Sequence, residues 1–501
     1  MYNHLRRFSG QYSFVIFFIL AIPALYAYNP LPLFFLNDDF IHVPLSQLAT
    51  WGQRNSIRPF NDISLYIDYL VWGNNPVGYH FTNLLLHLID SVLIYFLSVQ
   101  VFRRFNFQGN EKFWSACAAL FFWGYAFHSE GVFWVIGRTG PLSSFFFLIC
   151  FLIFLNGNRN LLLILLSYVC FFCGLLTYES VFILPPALLI LAVGFKQFRS
   201  RTNIFFVAGY WVLFIAYLFL RVHWTGELAG NYEAENVNKL NIGVLAANYC
   251  KLFVRSFVAP QLNGSVFAFS VAAFLVAIIA AIIFFVKRNN ITKPVIWLLL
   301  IFFLSYIPYI SLGIDTHGVE SERYLYLPSI FVCILLAAFF SSWKKKDVGL
   351  FIFFLYFLYN QYYLLKSSKA FVIASDITKK TMEIVKENPN CHHIYFKNLP
   401  QENYGVPMFR LGLEQGINWQ TKNDTAFKNV NIISLNEDEF YRLNNKLEIN
   451  LRDTSQFKLP VVMKRKMTGN KEGYIKTDGS LFYPETDLLI DYTDTGINVF
   501  R

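Results

Sequence analysis

The sequence predicts an α-helical polytopic membrane protein of about eleven spans with a small C-terminal extracytoplasmic α/β domain. Three observations predict it. Of 501 residues, 55% are hydrophobic, 15% are charged and 56 are phenylalanine, and the mean hydropathy is +0.41. That is more apolar surface than a water-soluble core requires. The apolar residues fall in runs near the roughly 20 residues that cross a bilayer. From about residue 366 the composition turns polar and mixed. The chain is therefore expected to divide into a membrane domain, 1–366, and a tail domain, 367–501.

The start carries Arg6 and Arg7 ahead of an apolar run over 14–35. That run is too long for a signal peptide and lacks a clear small-residue cleavage site, so it reads as a retained signal anchor. Asn37-Asp38-Asp39-Phe40 follows directly. One aspartate at the centre of a membrane helix costs about 2.5–3.5 kcal/mol, so the pair is expected just past the end of the span. Two adjacent carboxylates at a water–lipid boundary suit acid–base or metal chemistry on a lipid-tailed substrate. In the loop 36–78, the stretches 41–51 and 63–72 repeat apolar residues at helical spacing. Such helices lie flat on a bilayer surface or cover a site there.

Further spans are expected over 79–102, 113–127, 141–156, 161–176, 180–195, 203–222, 264–286, 293–311, 323–342 and 348–365. The short ones at 113–127, 161–176 and 180–195 read as tilted, or as broken where they line a cavity. In the tail, 392–396, 430–435, 458–464 and 488–492 read as strands, with a helix near 408–416. Cys170 and Cys173 have CxxC spacing, but on an apolar helix they read as small packing residues, and no disulfide framework is implied.

The loops alternate in charge. One set holds Arg6-Arg7, Arg103-Arg104 with Lys112, Arg159, Lys196 with Arg199 and Arg201, Lys287-Arg288 with Lys293, and Lys344-Lys345-Lys346. The other holds Asp38, Asp39, Asp62, Glu130, Glu179, Glu227, Glu233, Glu235, Asp315, Glu320 and Glu322. The positive-inside rule puts the first set in the cytoplasm. The N-terminus is then cytoplasmic, and the Asp38-Asp39 pair and the tail domain face outward. This placement accounts for the net charge of +10 without a nucleic-acid partner.

Several polar residues stand where apolar ones are expected. His80, Asn83, His87 and Asp90 share one face of the second span, which must turn into the bundle. Interhelical hydrogen bonds that fix packing are one reading, and substrate contact is the other for His80 at the outer end. His128-Ser129-Glu130 precedes Gly137-Arg138. Glu130 and Arg138 make either a structural ion pair or a second carboxylate with a phosphate-binding arginine, whose planar fork donates two hydrogen bonds. Asp315-Thr316-His317, Glu320, Glu322 and Arg323 lie before the tenth span. Arg323 either pairs locally or holds a lipid phosphate. Glu179 reads as the carboxylate that caps the sixth helix.

Five blocks, in one order over some 300 residues, resemble a known family. They are Asn37-Asp38-Asp39-Phe40; Arg58-Pro59 with Leu65-Tyr66-Ile67-Asp68-Tyr69; Val71-Trp72-Gly73-Asn74-Asn75-Pro76-Val77-Gly78-Tyr79-His80 into Asn83-Leu84-Leu85-Leu86-His87; His128-Ser129-Glu130-Gly131-Val132 with Trp134-Val135-Ile136-Gly137-Arg138; and Glu322-Arg323-Tyr324-Leu325-Tyr326-Leu327-Pro328-Ser329. They resemble the membrane part of the O-mannosyltransferases that carry tetratricopeptide repeats, and its bacterial relatives, within the C superfamily of multispanning glycosyltransferases (GT-C). Phe396-Lys397-Asn398-Leu399-Pro400, Gly405 and Phe409-Arg410-Leu411-Gly412 resemble the extracytoplasmic tail of the bacterial members. The chain departs from the pattern at Tyr125-Ala126, where the family has His-Pro, at Tyr178, where it has Lys, and at Asp90, where it has Asn. No tetratricopeptide repeat follows.

The resemblance implies transfer of a sugar or glycan from a polyprenyl-phosphate-linked donor to a hydroxyl acceptor, a protein serine or threonine. Asp38 or Asp39 is then the general base. Glu130 is a second acid that orients the acceptor or binds a divalent cation, for which oxygen ligands suit Mg or Mn. Arg138, Arg323 and Arg58 are candidates for the donor phosphate, and His80, His128, His317 and Glu322 are further polar site residues. A transporter or flippase of lipid-linked glycans would use a similar charged cavity, but no inverted repeat marks one. Richness in Phe, Asn, Lys and Ile points to a bacterial inner membrane with the outward face in the periplasm.

Overall fold

Helix starts follow caps written in the sequence. Asn75 accepts from the Val77 amide (3.1 Å), Asn110 from those of Lys112 and Phe113 (3.1 and 3.2 Å), Asn160 from Leu162 (3.0 Å), and Ser200 from Asn203 (3.1 Å). Each satisfies a backbone donor that the first helical turn leaves over.

The computed structural model describes residues 28–48, 58–107, 110–157, 160–226, 242–287, 293–343, 346–389, 391, 393–397, 399–421, 431–435, 464–468, 471–475, 487–493 and 496–500. The expected anchor over 14–35 falls outside them up to residue 27, as do Arg6-Arg7, Arg159, Glu227, Glu233, Glu235, Arg288, Lys344-Lys345, His392, Val430 and 458–463.

The helices are α1 Asp39–Gln47, α2 Pro59–Trp72, α3 Pro76–Arg104, α4 Glu111–Trp123, α5 Ser129–Phe133, α6 Thr139–Asn156, α7 Leu161–Leu175, α8 Leu184–Gly194, α9 Arg201–Thr225, α10 Ile242–Arg255, α11 Gly264–Lys287, α12 Lys293–Leu304, α13 Tyr326–Ser341, α14 Lys346–Lys386 and α15 Leu413–Gln420. By length and composition, Pro76–Arg104, Ile136–Asn156, Arg201–Trp224, Glu322–Ser341 and Asp347–Lys386 can cross a membrane. Leu161–Leu175, Glu179–Gly194, Gly264–Val276 and Lys293–Tyr309 are shorter apolar helices. On α9, Phe205, Val212 and Phe219 recur every seven residues and are exposed, as on a helix that turns one stripe to lipid. These features make the chain a polytopic helical membrane protein.

The described residues form two compact units. The first comprises the described residues within Met1–Leu33, Leu45–Val372 and Tyr404–Val406, and the second those within Phe34–Pro44, Ile373–Asn403 and Pro407–Arg501. Asp38 and Asp39, assigned by sequence to the domain 1–366, group with the second.

In the first unit, Tyr95 of α3 packs with Ala116, Ala119 and Trp123 of α4. The polar stripe of α3 does turn inward: His80, Asn83, His87 and Asp90 are all buried. His87 meets the Tyr326 hydroxyl (2.8 Å) and the Trp123 carbonyl (3.1 Å), and that hydroxyl donates to Asp90 (3.0 Å). These are interhelical packing bonds. The helix expected over 113–127 stops at Trp123. From Ala126 to Arg138 the chain runs through a 3-10 turn, α5 and a second 3-10 turn, Ile136–Arg138, almost wholly buried. Irregular backbone is tolerated there because protein, not lipid, surrounds it.

In the second unit, β1 (His393–Lys397) pairs in parallel with β2 (Asn431–Leu435) and with β5 (Asp487–Thr493). The outer strand β6 (Gly496–Phe500) runs antiparallel to β5. A hairpin of β3 (Lys464–Thr468) and β4 (Lys471–Ile475) stands apart from this sheet. Ile394 and Phe396 of β1 and Leu488, Ile490 and Tyr492 of β5 are buried, the two-residue period of a strand with one covered face. The helix expected near 408–416 begins at Leu413. Gly412, left-handed at φ 82°, precedes it.

Candidate active site

The Asp38-Asp39 turn is built locally. Asn37 adopts φ 43°, a left-handed conformation that asparagine tolerates better than most residues. Its side chain donates to Asp38 Oδ1 (2.7 Å). The Leu36 amide donates to Asp39 Oδ2 (2.9 Å). Asp39 opens α1, where the helix dipole favours a carboxylate. It is buried, and Asp38 is partly exposed.

In the first unit, charged side chains pair in a pattern the sequence did not suggest. Glu130 and Arg138 do not pair with each other. Glu130 is ion-paired with Arg323 and also accepts the Arg323 backbone amide (2.9 Å). Arg138 is ion-paired with Asp68 (2.5 Å). Its remaining donors meet the carbonyls of Val135 (3.3 Å), Ser64 (3.4 Å) and Tyr79 (3.1 Å). Both Arg138 and Asp68 are buried, and Thr82 donates to Asp68 (2.6 Å). Glu322 pairs with Arg255 (2.6 Å) and accepts from Ser129 (2.6 Å). Arg255 also donates to the Asp315 and Val258 carbonyls (both 2.9 Å). Glu179, expected as a helix cap, binds Arg58 (3.0 Å) and Arg221 (3.1 Å) instead.

Arg58 and Arg323 differ from Arg138 and Arg255 in being open. Their side chains are 37% and 25% exposed. A row of rings joins them. Arg58 lies over Tyr178 (4.7 Å), Tyr178 neighbours Tyr309 (5.9 Å), and Tyr309 stacks on Tyr324 (4.8 Å). Arg323 lies over Tyr324 (5.0 Å) and Trp134 (5.4 Å). Among the described residues, Arg58 Nε is buried and has no hydrogen-bond partner. Burial raises the Glu130 carboxyl above the ordinary carboxylate range, and the Arg323 charge opposes that rise.

Backbone geometry explains how this row is held. The Asn83 side chain donates to the carbonyls of Trp134 (2.8 Å) and Val135 (3.2 Å). A Cβ at Gly137 would lie 2.1 Å from the Glu130 carbonyl oxygen, so only glycine permits the close approach of the two turns. Ser321, at φ 71°, turns the chain so that Glu322 and Arg323 reach different partners.

His80 is buried on α3. His128 meets the Ser329 hydroxyl (2.6 Å) in the interior. His317 is exposed, its amide donating to Asp315 (3.0 Å). Sequence reasoning missed Asp68, Arg221 and Arg255. Arg221 had a signal, a charge within an apolar run. Asp68 lies inside the Leu65–Tyr69 block, where nothing local marks it as the partner of Arg138.

Two of the carboxylates considered for a divalent cation are already engaged. The Glu130 oxygens are taken by Arg323 and those of Glu322 by Arg255 and Ser129. Among the described residues no three His, Cys, Asp or Glu side chains stand together as a ligand set.

Apolar membrane-length helices enclosing paired charges define an integral multispanning membrane protein. Comparison with known proteins then gives its likeness. The chain is 34% identical over 134 residues to human protein O-mannosyl-transferase TMTC3, covering 27% of this chain and 13% of that one. It is 31% identical over 122 residues to human TMTC4, covering 23% and 16%. It is 25% identical over 345 residues to the protein O-mannosyl-transferase F38B6.6 of Caenorhabditis elegans, covering 61% and 47%. The chain thus spans less than half the length of each of these relatives. No protein-family profile matches. Among solved structures, ArnT from Cupriavidus metallidurans bound to undecaprenyl phosphate aligns with a TM-score of 0.44 and 10% identity, over 94% of this chain and 99% of that one. The chain is thus similar to protein O-mannosyl-transferases, the resemblance that its five sequence blocks carry.

Proposed function

We propose that the chain is a membrane glycosyltransferase that moves a sugar or glycan from a polyprenyl-phosphate-linked donor to a hydroxyl acceptor, a protein serine or threonine. The reaction takes place on the periplasmic face of a bacterial inner membrane. The observation that carries this reading is the row from Arg58 to Trp134, with a part-exposed guanidinium towards each end. A departing phosphate needs positive charge that is already in place, and a guanidinium matches phosphate with two parallel hydrogen bonds. Arg58 shares one carboxylate, Glu179, with Arg221, and retains an unpartnered donor among the described residues. Arg138 is closed off by Asp68 and three carbonyls, so the phosphate role falls to Arg58 and Arg323. The names of the relatives support sugar transfer to protein, with mannose as the first sugar to try.

In this reading Asp38 or Asp39 takes the acceptor's proton as the acceptor oxygen bonds to the anomeric carbon. The bond from that carbon to the phosphate oxygen breaks, and the phosphate leaves with the electron pair. Glu130 holds Arg323 in position. The basic loops favour the outward placement of the Asp38-Asp39 turn and the tail.

The experiment is incubation of purified, reconstituted protein with labelled polyprenyl-phosphate mannose and a serine-rich peptide. Labelled peptide, lost in Asp38→Asn or Asp39→Asn, supports the reading. Movement of labelled lipid across the vesicle without transfer would replace it with a flippase. Wild-type turnover in both variants would remove the aspartates from the chemistry.

A further inference from the structure

The Asp38-Asp39 turn is fixed by residues more than 370 positions away. Asn37 is the link. Its amide donates to the Met408 carbonyl (2.9 Å), its Oδ1 accepts the Leu411 amide (2.7 Å), and its Nδ2 donates to Asp38 (2.7 Å). One side chain thus joins the tail backbone to the first aspartate, and it is buried. The fit is close. A Cβ at Gly412 would lie 2.5 Å from the Asn37 carbonyl oxygen, and Gly412 already needs φ 82°. One turn on, a Cβ at Gly416 would lie 2.8 Å from the Phe40 ring. Phe35 packs on Trp419 (5.0 Å between centroids), and the Phe34 amide donates to the Ser375 hydroxyl (2.8 Å). Met408 is itself held by the Gln401 carbonyl (2.9 Å).

We propose that the tail segment 408–412 positions the Asp38-Asp39 pair for proton transfer, with Asn37 as the positioning residue. The proposal rests on the reading of that pair as the base. The tail is on this view part of the catalytic apparatus and not an appended domain. Asparagine suits the task because it combines tolerance of a left-handed backbone with both a donor and an acceptor. Glycine there would keep the backbone and lose both side-chain bonds.

The test uses the full chain, reconstituted, with labelled polyprenyl-phosphate mannose and the serine-rich peptide. Asn37→Gly and Gly412→Ala are each expected to lower kcat by roughly 10- to 100-fold, the scale of a 1 Å misplacement. The donor KM should stay within about twofold, because the phosphate is held elsewhere. Amide exchange over 37–42 should speed up in both variants while α3 stays protected. Wild-type kcat in both variants, alongside inactive Asp38→Asn or Asp39→Asn, would overturn the inference and leave the transferase reading standing. Active aspartate variants would instead overturn the reading on which it rests. If Gly412→Ala does not fold, Asn37→Gly, which adds no atoms, decides the matter.

Discussion

Arginine exposure separates two kinds of buried charge in this protein. Arg138 and Arg255 spend their donors on a carboxylate and on carbonyls, whereas Arg58 and Arg323 keep part of theirs open. Arg58→Ala and Arg323→Ala are each expected to raise the donor KM and cut kcat/KM by about 10- to 100-fold, the scale of a lost charge-assisted contact. Arg323→Lys should not restore it, since lysine lacks the planar fork. Initial rates at varied donor concentration would decide, and an unchanged kcat/KM would reduce both residues to structure. Glu130 adds a pH signature. Its folded-state pKa is raised by burial, so the fold holds its proton more tightly than the unfolded chain does. The stability it lends is present below the ordinary glutamate value, about 4.3, and is lost as pH rises through the folded value. The melting temperature of the wild type minus that of Glu130→Gln should therefore fall as pH rises across that window. A flat difference would show that the carboxyl is not perturbed. These residue types were legible in sequence, but their partners were not. Glu130 and Arg138 stand eight positions apart and suggested a pair, yet each bonds to a residue of a distant element.

At the level of elements, apolar runs foretold helices but not where they end. The expected helix over 113–127 ends at Trp123, because the following turns are fixed by side chains from elsewhere: Asn83, Ser329 and Arg323. Periodicity reports a helix's own face and carries no trace of such partners. Gly137 is the sharpest constraint in that stretch. Gly137→Ala would press a methyl into the Glu130 carbonyl and should destabilise by about 1–3 kcal/mol, the usual cost of overpacking. Thermal unfolding in detergent, with the Glu130→Gln protein as a reference, measures it. An unchanged melting temperature would mean that the two turns can separate freely. In the tail, alternation located β1 and β5, while their parallel pairing lay beyond any local pattern.

Across the whole molecule, the alternating loop charges make the most direct prediction. His317 is exposed and lies in a loop that the charge pattern predicts to face outward, whereas Lys196 belongs to a basic loop predicted to face the cytoplasm. In a chain stripped of its own cysteines, His317→Cys should react with a membrane-impermeant maleimide on intact cells, and Lys196→Cys only after lysis. Equal labelling of both on intact cells would reverse or abolish the assigned topology.

The neighbouring residues Glu322 and Arg323 carry opposite charges yet never serve each other. The first is committed to Arg255 and Ser129, the second to Glu130, with the left-handed Ser321 splitting them. Losing one member of the fully buried Glu322–Arg255 pair strands the other at a cost of about 3–5 kcal/mol, and the part-exposed Glu130–Arg323 pair less. Sequence drift at these positions should then be correlated and not free. Related chains should exchange Glu322 and Arg255 for apolar residues together or keep both, and separately do the same for Glu130 and Arg323. Two adjacent letters of the sequence thus belong to two independent lines of inheritance.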